Sequence, residues 1–220
     1  ANLLAFWPLG ITVSGYRNVH FKHHKNTNME GDPELAHRGA RAPQWDLPVK
    51  ITKIAEYCLS DLVGGSLSDY LIIVTFSKPD SRREYVPLLA VHAAFIAGCL
   101  ASGALWVAAV WYVSLVTSFM MFFRLRTFLE HLGTDDTHRV HLNLWQRHLL
   151  APHNIWYHWE HHTFPMLSYH YLPQVRGLVA RKPVIALSEL IGIYAKSPPI
   201  SSGQVLKHQH TAIKQFDEAA

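Results

Sequence analysis

The sequence predicts an all-α integral membrane protein, in which a transmembrane helical hairpin carries a cytosolic helical cap with clustered histidines. Two observations support this fold class. Residues Tyr85–Phe123 contain no Asp, Glu, Lys or Arg, and the spacing H-x-x-H-H occurs once before and once after them. Because the 220-residue chain is 49% apolar but has a mean hydropathy near zero, a few concentrated apolar blocks with polar caps are expected.

The uncharged stretch is too long for one membrane crossing. A straight helix of its 39 residues would measure about 58 Å, roughly twice the hydrocarbon thickness of a bilayer. Two crossings over about residues 85–123, joined near Ser102 and Gly103, fit better; a buried hairpin of a soluble protein is the alternative. Both ends of a hairpin lie on one side, which is the cytosol by the positive-inside rule. The flanking basic residues are Arg82, Arg83, Arg124 and Arg126.

The other segments are expected to serve this hairpin within one membrane domain over residues 1–196. The uncharged residues 1–15 are too short to cross a bilayer, and residues 49–62 have the spacing of a helix on the membrane surface. The apolar run 70–76 is interfacial or buried, and residues 29–48, rich in Gly, Pro and charge, are expected to be loop. Residues 182–196 predict an amphipathic helix, and residues 197–220 a poorly ordered polar tail.

Composition narrows the choice of partner. The formal charge of +4 comes without a long Lys/Arg run, which favours a membrane surface over nucleic acid. The two cysteines, Cys58 and Cys99, lie in segments of different character and form no C-x-x-C site, so neither a disulfide nor an iron–sulfur centre is expected.

The two histidine triplets predict a metal centre. Residues three and four apart share a helix face, so each H-x-x-H-H projects three imidazoles together. Six imidazoles are too many for one tetrahedral ion, and two metals with open positions are the simpler interpretation. Glu160, which lies between two of the histidines, is expected to point away from them. A single copy of this spacing would favour surface or core histidines.

Three stretches resemble the membrane fatty acid desaturase superfamily, the histidine-box non-haem di-iron enzymes: YRNVHFKHHKNTNMEGDPEL, RLRTFLEHLGTDD and LLAPHNIWYHWEHHTFPMLSYHYLP. With the hairpin they cover most of residues 1–180. The resemblance implies a second histidine box, a third box and one further ligand after the hairpin. It also implies a supporting role for Asn154, which could orient a ligand or a metal-bound water, and Asp32 is a possible carboxylate neighbour. The implied metal ligands are His20, His23, His24, His131, His158, His161 and His162.

The resemblance further implies what the protein does. Two iron ions would use O2 as co-substrate to introduce a double bond into a fatty acyl chain of a lipid or acyl thioester. Electrons would come from a separate donor of the ferredoxin or cytochrome b5 type. The protein would be multi-pass, with its boxes on the cytosolic side, in the inner membrane if the source is a bacterium.

Several alternatives stay open at this point. A hydroxylase or carotenoid ketolase uses the same boxes, while a His-rich metal transporter and a non-catalytic membrane scaffold belong to other classes. The family also has a first box, H-x-x-x-H or similar, whose spacing would place it before Ala1. Together with the start at alanine, this predicts a fragment that is inactive by itself.

Five further residues are expected at the membrane interface rather than at the metal. Trp156, Tyr157 and Trp159 predict an aromatic belt, and Arg124 and Arg126 predict anchors that reach from the hairpin to the head groups.

Overall fold

The computed structural model describes residues 1–179 and 182–206, and these are mostly helical. Short π and 3₁₀ turns cover Asn2–Phe6, Trp7–Leu9 and Arg82–Glu84. The α-helices within the described ranges are α1 (Val13–Asn26), α2 (Pro33–Ala40), α3 (Ile51–Leu62), α4 (Leu67–Phe76), α5 (Tyr85–Ala101), α6 (Leu105–Val116), α7 (Ser118–Glu130), α8 (Leu144–Leu150), α9 (His158–Thr163), α10 (Leu172–Leu178) and α11 (Leu187–Lys196). Strands β1 (Val140–His141) and β2 (Ile185–Ala186) pair in parallel.

The chain divides into two compact units. The first comprises Ala1–Lys22 and Cys58–Met121, and the second comprises His23–Tyr57 and Phe122–Ala220. The boundaries fall inside α1, α3 and α7, so each of these helices contributes residues to both units.

Within the described residues, two helical stretches are long and apolar enough to cross a membrane. They are Arg82–Ala101 and Leu105–Glu130. The break between them lies where the small residues Ser102 and Gly103 predict it. The second stretch continues to Glu130, past the predicted end at Phe123. Helices α3 and α4 together also pass the length and composition test, but they are bent by 75° and form either a broken span or a re-entrant loop. These features are compatible with a membrane protein.

The first unit has a small polar network among its apolar helices. His92 on α5 accepts a hydrogen bond from the Tyr112 hydroxyl of α6 (Nδ1···Oη, 2.8 Å) and donates from Nε2 to the Trp7 carbonyl at 2.8 Å. Both ring nitrogens are thereby paired, as a polar side chain among apolar helices requires. Gly15 allows α1 to approach the end of α4, since a Cβ there would lie 2.1 Å from the Ser77 carbonyl oxygen.

The second unit packs around α11. Leu190 and Tyr194 are almost completely buried, and the Tyr194 hydroxyl donates to the Phe128 carbonyl on α7. Leu47 and Ile200 form an antiparallel bridge. The expectation of a poorly ordered tail is therefore wrong for residues 197–206, while residues 207–220 lie outside the described part of the chain.

The segment expected to be loop contains a helix. Residues 33–40 form α2 because Asp32 is a good N-cap, whose side chain accepts from the Glu34 N–H at 2.8 Å. Pro33 occupies the first turn, where its missing N–H costs nothing. The remaining residues 41–48 are mostly turn, as expected.

The residues expected at the membrane interface are partly in the core instead. Trp156, Tyr157 and Trp159 are at most 9% exposed. Arg124 is buried, with its guanidinium 4.8 Å from the centre of the Trp45 ring. The prediction of an aromatic belt and of an Arg124 anchor was wrong, because buried cation–π packing satisfies these side chains as well as an interface does.

Candidate metal centre

Helices α1 and α9 supply most of the predicted ligands. His23 and His24 lie in the last turn of α1, and the triplet His158, His161 and His162 makes up half of the six-residue α9. His20 lies one turn earlier on α1, in the part of that helix that belongs to the first unit, where its ring stacks on Tyr16 at 4.8 Å.

Six predicted ligands come together in the second unit. They are His23, His24, His131, His158, His161 and His162. The Nε2 atoms of His24 and His161 are 3.0 Å apart, and those of His131 and His158 are 2.7 Å apart. Imidazoles from three separate segments thus direct their nitrogens at one another rather than at solvent.

The ring of His162 lies among the others. Its centroid is 4.0 Å from that of His24, 4.5 Å from His158, 5.0 Å from His131 and 5.1 Å from His23. Its Nδ1 is 3.2 Å from the Thr27 hydroxyl. Within the described residues, its buried Nε2 has no hydrogen-bond partner. An unpaired buried nitrogen in such a cluster is suited to a metal ion.

Electrostatics keep most of these rings neutral. Burial lowers the pKa of His131, His158 and His162, and neighbouring imidazoles lower it further. Burial and the nearby His161 lower the pKa of His24 to about 4. Neutral imidazoles have a lone pair available at pH 7, which is the form that binds a metal.

His23 differs because a carboxylate holds it. Its Nδ1 lies 2.9 Å from Asp32 Oδ1, and Asp32 is almost fully buried. Burial lowers the pKa of His23, but the hydrogen bond to Asp32 and the charge of Glu34 outweigh it and raise the pKa overall. In the neutral ring, an Nδ1–H that donates to a carboxylate leaves Nε2 with the lone pair, the arrangement seen around metal-bound histidines.

Asn28 fixes the position of His131. The Asn28 amide nitrogen lies 2.8–3.1 Å from the carbonyls of His131, Thr134 and Asp136, and its side-chain oxygen accepts from Arg38. Asn28 has a φ of 55°, a conformation that asparagine tolerates better than most residues. The residue that ends the first histidine segment therefore holds the segment that contains His131.

Glu130 lies beside His158. Its Oε1 is 3.5 Å from His158 Nδ1 and accepts from Arg126 Nε at 2.6 Å. The carboxylate is thus held on the outer nitrogen of His158, opposite the nitrogen that approaches His131. At 3.5 Å, this contact with His158 is electrostatic.

Glu160 points away from the histidines, as the helical spacing predicts. It is fully buried and accepts from Arg139 Nε and Arg176 Nε, both at 2.7 Å. Burial opposes its ionisation, but the two guanidiniums outweigh burial and lower its pKa. These guanidiniums also stack on Trp159 and Trp156.

The donor set is suited to binding metal. His23, His131 and His162 each offer one nitrogen within 4.8 Å of the others, and Glu130, His131 and His158 form a second such group. His131 belongs to both groups, so the two groups overlap. Imidazole with a few carboxylates and no sulfur is a donor set that suits iron.

The comparison with known families agrees with this geometry. The sequence model described as fatty acid desaturase matches residues 1–185. The chain belongs to the fatty acid desaturase family. No curated protein and no solved structure matches it. Membership indicates an oxidoreductase of the desaturase superfamily, and the family implies non-haem iron, acyl lipid substrates and a membrane location.

Two other predicted residues have local contacts. The Asn154 side chain donates to the Tyr169 carbonyl at 3.2 Å, and its φ of 62° places it in a turn ahead of α9. Its predicted supporting role at the metal stays a prediction. His138 donates from Nε2 to the Leu132 carbonyl at 2.6 Å and is buried.

Sequence reasoning missed Asn28, Glu34 and Glu130. Glu34 lies in the segment 29–48 expected to be loop, and Asn28 directly precedes that segment, so no periodicity indicates a direction for either side chain. Glu130 directly precedes His131, and that adjacency was a signal available in the sequence. Asp32 was singled out as a carboxylate neighbour, and its contact with His23 agrees with that.

Proposed function

We propose that this chain is an O2-dependent, membrane-bound two-iron oxidoreductase that introduces a double bond into a fatty acyl chain of a lipid or acyl thioester. The observation that carries the proposal is the convergence of six buried or half-buried histidines from three segments, with two overlapping ligand groups that share His131. His20 would join them from the same helix as His23 and His24.

The iron pair, when bound, would supply the reduction of O2 and the oxidation of unactivated C–H bonds. The net reaction takes one hydrogen from each of two adjacent carbons. O2, two electrons from a separate donor protein, two protons and these two hydrogens become two water molecules.

The residues of the chain have defined parts in this scheme. Asp32 would hold the outer nitrogen of His23, so that this ring keeps the orientation that a ligand needs, and Glu130 lies 3.5 Å from the outer nitrogen of His158. Asn28 keeps the backbone of His131 in place. Burial of the cluster excludes water, which protects the oxidising centre from side reactions.

The membrane arrangement is part of the proposal. The two candidate spans would form a hairpin whose ends lie in the cytosol, because Arg82 and Arg83 precede the first span and Arg126 lies near the end of the second. The histidine segments would then form a cytosolic cap, and their ligands would lie where an acyl chain can arrive from the lipid.

The test is product analysis by mass spectrometry. The protein, expressed from its whole open reading frame in membranes, is given acyl substrate, O2 and a reduced ferredoxin or cytochrome b5. Loss of two hydrogens that requires O2 and His161 supports desaturation, whereas a gain of one oxygen would identify a hydroxylase. Full activity of His161→Ala would contradict the proposal.

Metal transport without redox chemistry is the competing outcome. Zinc uptake into vesicles, with no oxidised lipid, would support it. The candidate spans offer it little, because His92, the histidine within them, has both ring nitrogens hydrogen-bonded.

A further inference from the structure

Helix α8 presents its large apolar side chains to the outside of the second unit. Trp145 is 83% exposed, and Leu144 and Leu149, on the same side of the helix, are 64% and 65% exposed. Arg147 points the other way, since its guanidinium lies 4.1 Å from the ring centre of the buried Trp156. The helix thus turns a charged residue inward and apolar ones outward, the reverse of a surface helix in a soluble domain.

A second apolar segment lies next to this helix. Residues 164–171, which follow α9, are all exposed and contain Phe, Met, Leu and two Tyr but no charged residue. The segment is joined to the turn after α8, because the Asn154 side chain donates to the Tyr169 carbonyl at 3.2 Å. The rings of His153 and Tyr169 also meet, with centroids 6.4 Å apart. The exposed side chains of α8 and of residues 164–171 therefore form neighbouring parts of one surface, which we call the apolar face.

The apolar face carries no carboxylate. Between Thr137 and Ser188 the one Asp or Glu in the sequence is Glu160, which is fully buried in its ion pairs with two arginines. An exposed apolar patch of several large side chains is typical of a surface that contacts a membrane or another protein. Because it has no anionic group to repel acidic head groups, this face suits the surface of a bilayer.

The composition and position of the apolar face favour lipid over a protein partner. Trp145, Tyr169 and Tyr171 are exposed aromatic residues with a polar atom, the type enriched where hydrocarbon meets water. The second unit also contains residues 122–130, the end of the candidate span Leu105–Glu130. A bilayer that holds this span borders the second unit itself, so lipid is the partner that the chain brings to this surface.

We propose that the apolar face lies on the membrane surface, with Trp145, Leu149 and Met166 at the boundary between the head groups and the acyl chains. The candidate spans cross the bilayer, whereas this contact lies in the plane of the membrane. A short helix with its apolar side turned to lipid and its polar side turned to protein is suited to such a position. The contact needs no metal, so it goes beyond the proposed function.

The apolar face is packed against the helix that carries three of the predicted ligands. Arg147 of α8 and Arg176 of α10 both place a guanidinium over the Trp156 ring, at 4.1 and 4.3 Å from its centre. Arg176 Nε also donates to Glu160 of α9 at 2.7 Å. Through these contacts, the membrane contact of α8 sets the depth at which α9 lies relative to the acyl chains.

The experiment measures how deep the apolar face lies in a bilayer. The protein is expressed from its whole open reading frame with its cysteines replaced by alanine, including Cys58 and Cys99, and reconstituted into vesicles of phosphatidylcholine and phosphatidylglycerol. A fluorescent label is attached at Leu149→Cys or Met166→Cys on the face, and at Lys196→Cys, an exposed position on α11, as the matched control. Quenching by nitroxide-labelled lipid reports contact with the bilayer, and quenching by iodide reports contact with water.

We expect the labels at Leu149→Cys and Met166→Cys to be quenched by the lipid nitroxide, to be shielded from iodide and to emit at shorter wavelength than the label at Lys196→Cys. Trp145→Glu should move the label at Leu149→Cys toward water, because it places a charge at the boundary with the acyl chains. Trp145→Phe should leave the label where it was. Iron content should be the same in both variants, which excludes a general loss of structure.

The proposal is overturned if the labels on the apolar face are quenched by iodide and by lipid to the same extent as the label at Lys196→Cys. Short-wavelength emission without lipid quenching would also overturn it, and would assign the face to a second copy of the chain. Shielding that appears only after a reduced electron donor is added would assign the face to that donor. These measurements require no activity, so the proposed function and the membrane contact fail separately.

Discussion

Helix α9 has two polar sides that differ in how their charges are satisfied. On one side, Glu160 is enclosed by Arg139 and Arg176, and its oxygens accept hydrogen bonds from both. On the other, His158 and His162 face further imidazoles, and the Nε2 atoms of His158 and His131 lie 2.7 Å apart. The charges on the first side are satisfied by ion pairs, whereas the second side would, under the proposed function, be completed by a metal ion. The two sides therefore differ in whether the protein itself supplies all the partners.

The largest expected effect comes from breaking the ion pairs of the Glu160 side of α9. Glu160→Ala leaves two guanidiniums without their shared carboxylate, and loss of one partner of a buried ion pair costs about 3–5 kcal/mol. Denaturant unfolding in detergent measures this, with Glu189→Ala on the exposed start of α11 as the control. A stable Glu160→Ala variant that has lost its iron would instead assign Glu160 to the metal centre.

Iron that binds at the histidine side of α9 should stabilise the folded protein. At a free concentration about 100 times its Kd, a ligand that binds only the folded state adds about 2.7 kcal/mol. The melting temperature should therefore rise with iron and fall with chelator. His158→Ala should remove this dependence, while the Arg139–Glu160–Arg176 cluster keeps the metal-free protein folded. A melting temperature independent of iron would contradict the distinction between the Glu160 side and the histidine side of α9.

Asp32→Asn sharpens the comparison on the histidine side. Asparagine caps a helix about as well as aspartate, so α2 should persist, but the charge that orients His23 is lost. We expect iron affinity to fall by about 10–100-fold, as for other groups that orient a ligand. Chelator competition measures it, with the exposed Asp80→Asn as reference. Unchanged affinity would show that His23 needs no anionic partner.

In the metal-free protein, the two sides of α9 should lose their contributions to stability at different pH values. The pKa values of His131 and His158 lie below the 6.5 of an unfolded histidine, so the unfolded state binds more protons and stability falls as pH drops below about 6.5. Glu160 has a pKa below 4.5, so its contribution is lost only at lower pH. Each proton costs about 1.4 kcal/mol per pH unit. A stability constant from pH 7 to 5 would contradict this.

The sequence predicts those parts of the molecule that have a regular residue spacing or a uniform composition. The absence of charge from 85 to 123 predicts the two spans, and the H-x-x-H-H spacing predicts which histidines share a face. The relation between His23 and His131, over 100 positions apart, depends on Asn28, a single loop residue without a pattern. Trp156 and Trp159 suit an interface and a buried guanidinium equally well, so composition could not distinguish the two.

Asn28 has a consequence for how metal enters. Because its amide bonds directly to three carbonyls of residues 131–136, hydrogen bonds of the protein itself join the two ligand segments. Ordering these ligands costs conformational entropy, and much of that cost is then incurred during folding rather than when the metal binds. Metal uptake should be a fast, local event, unlike that of small zinc domains, which fold only when the ion binds.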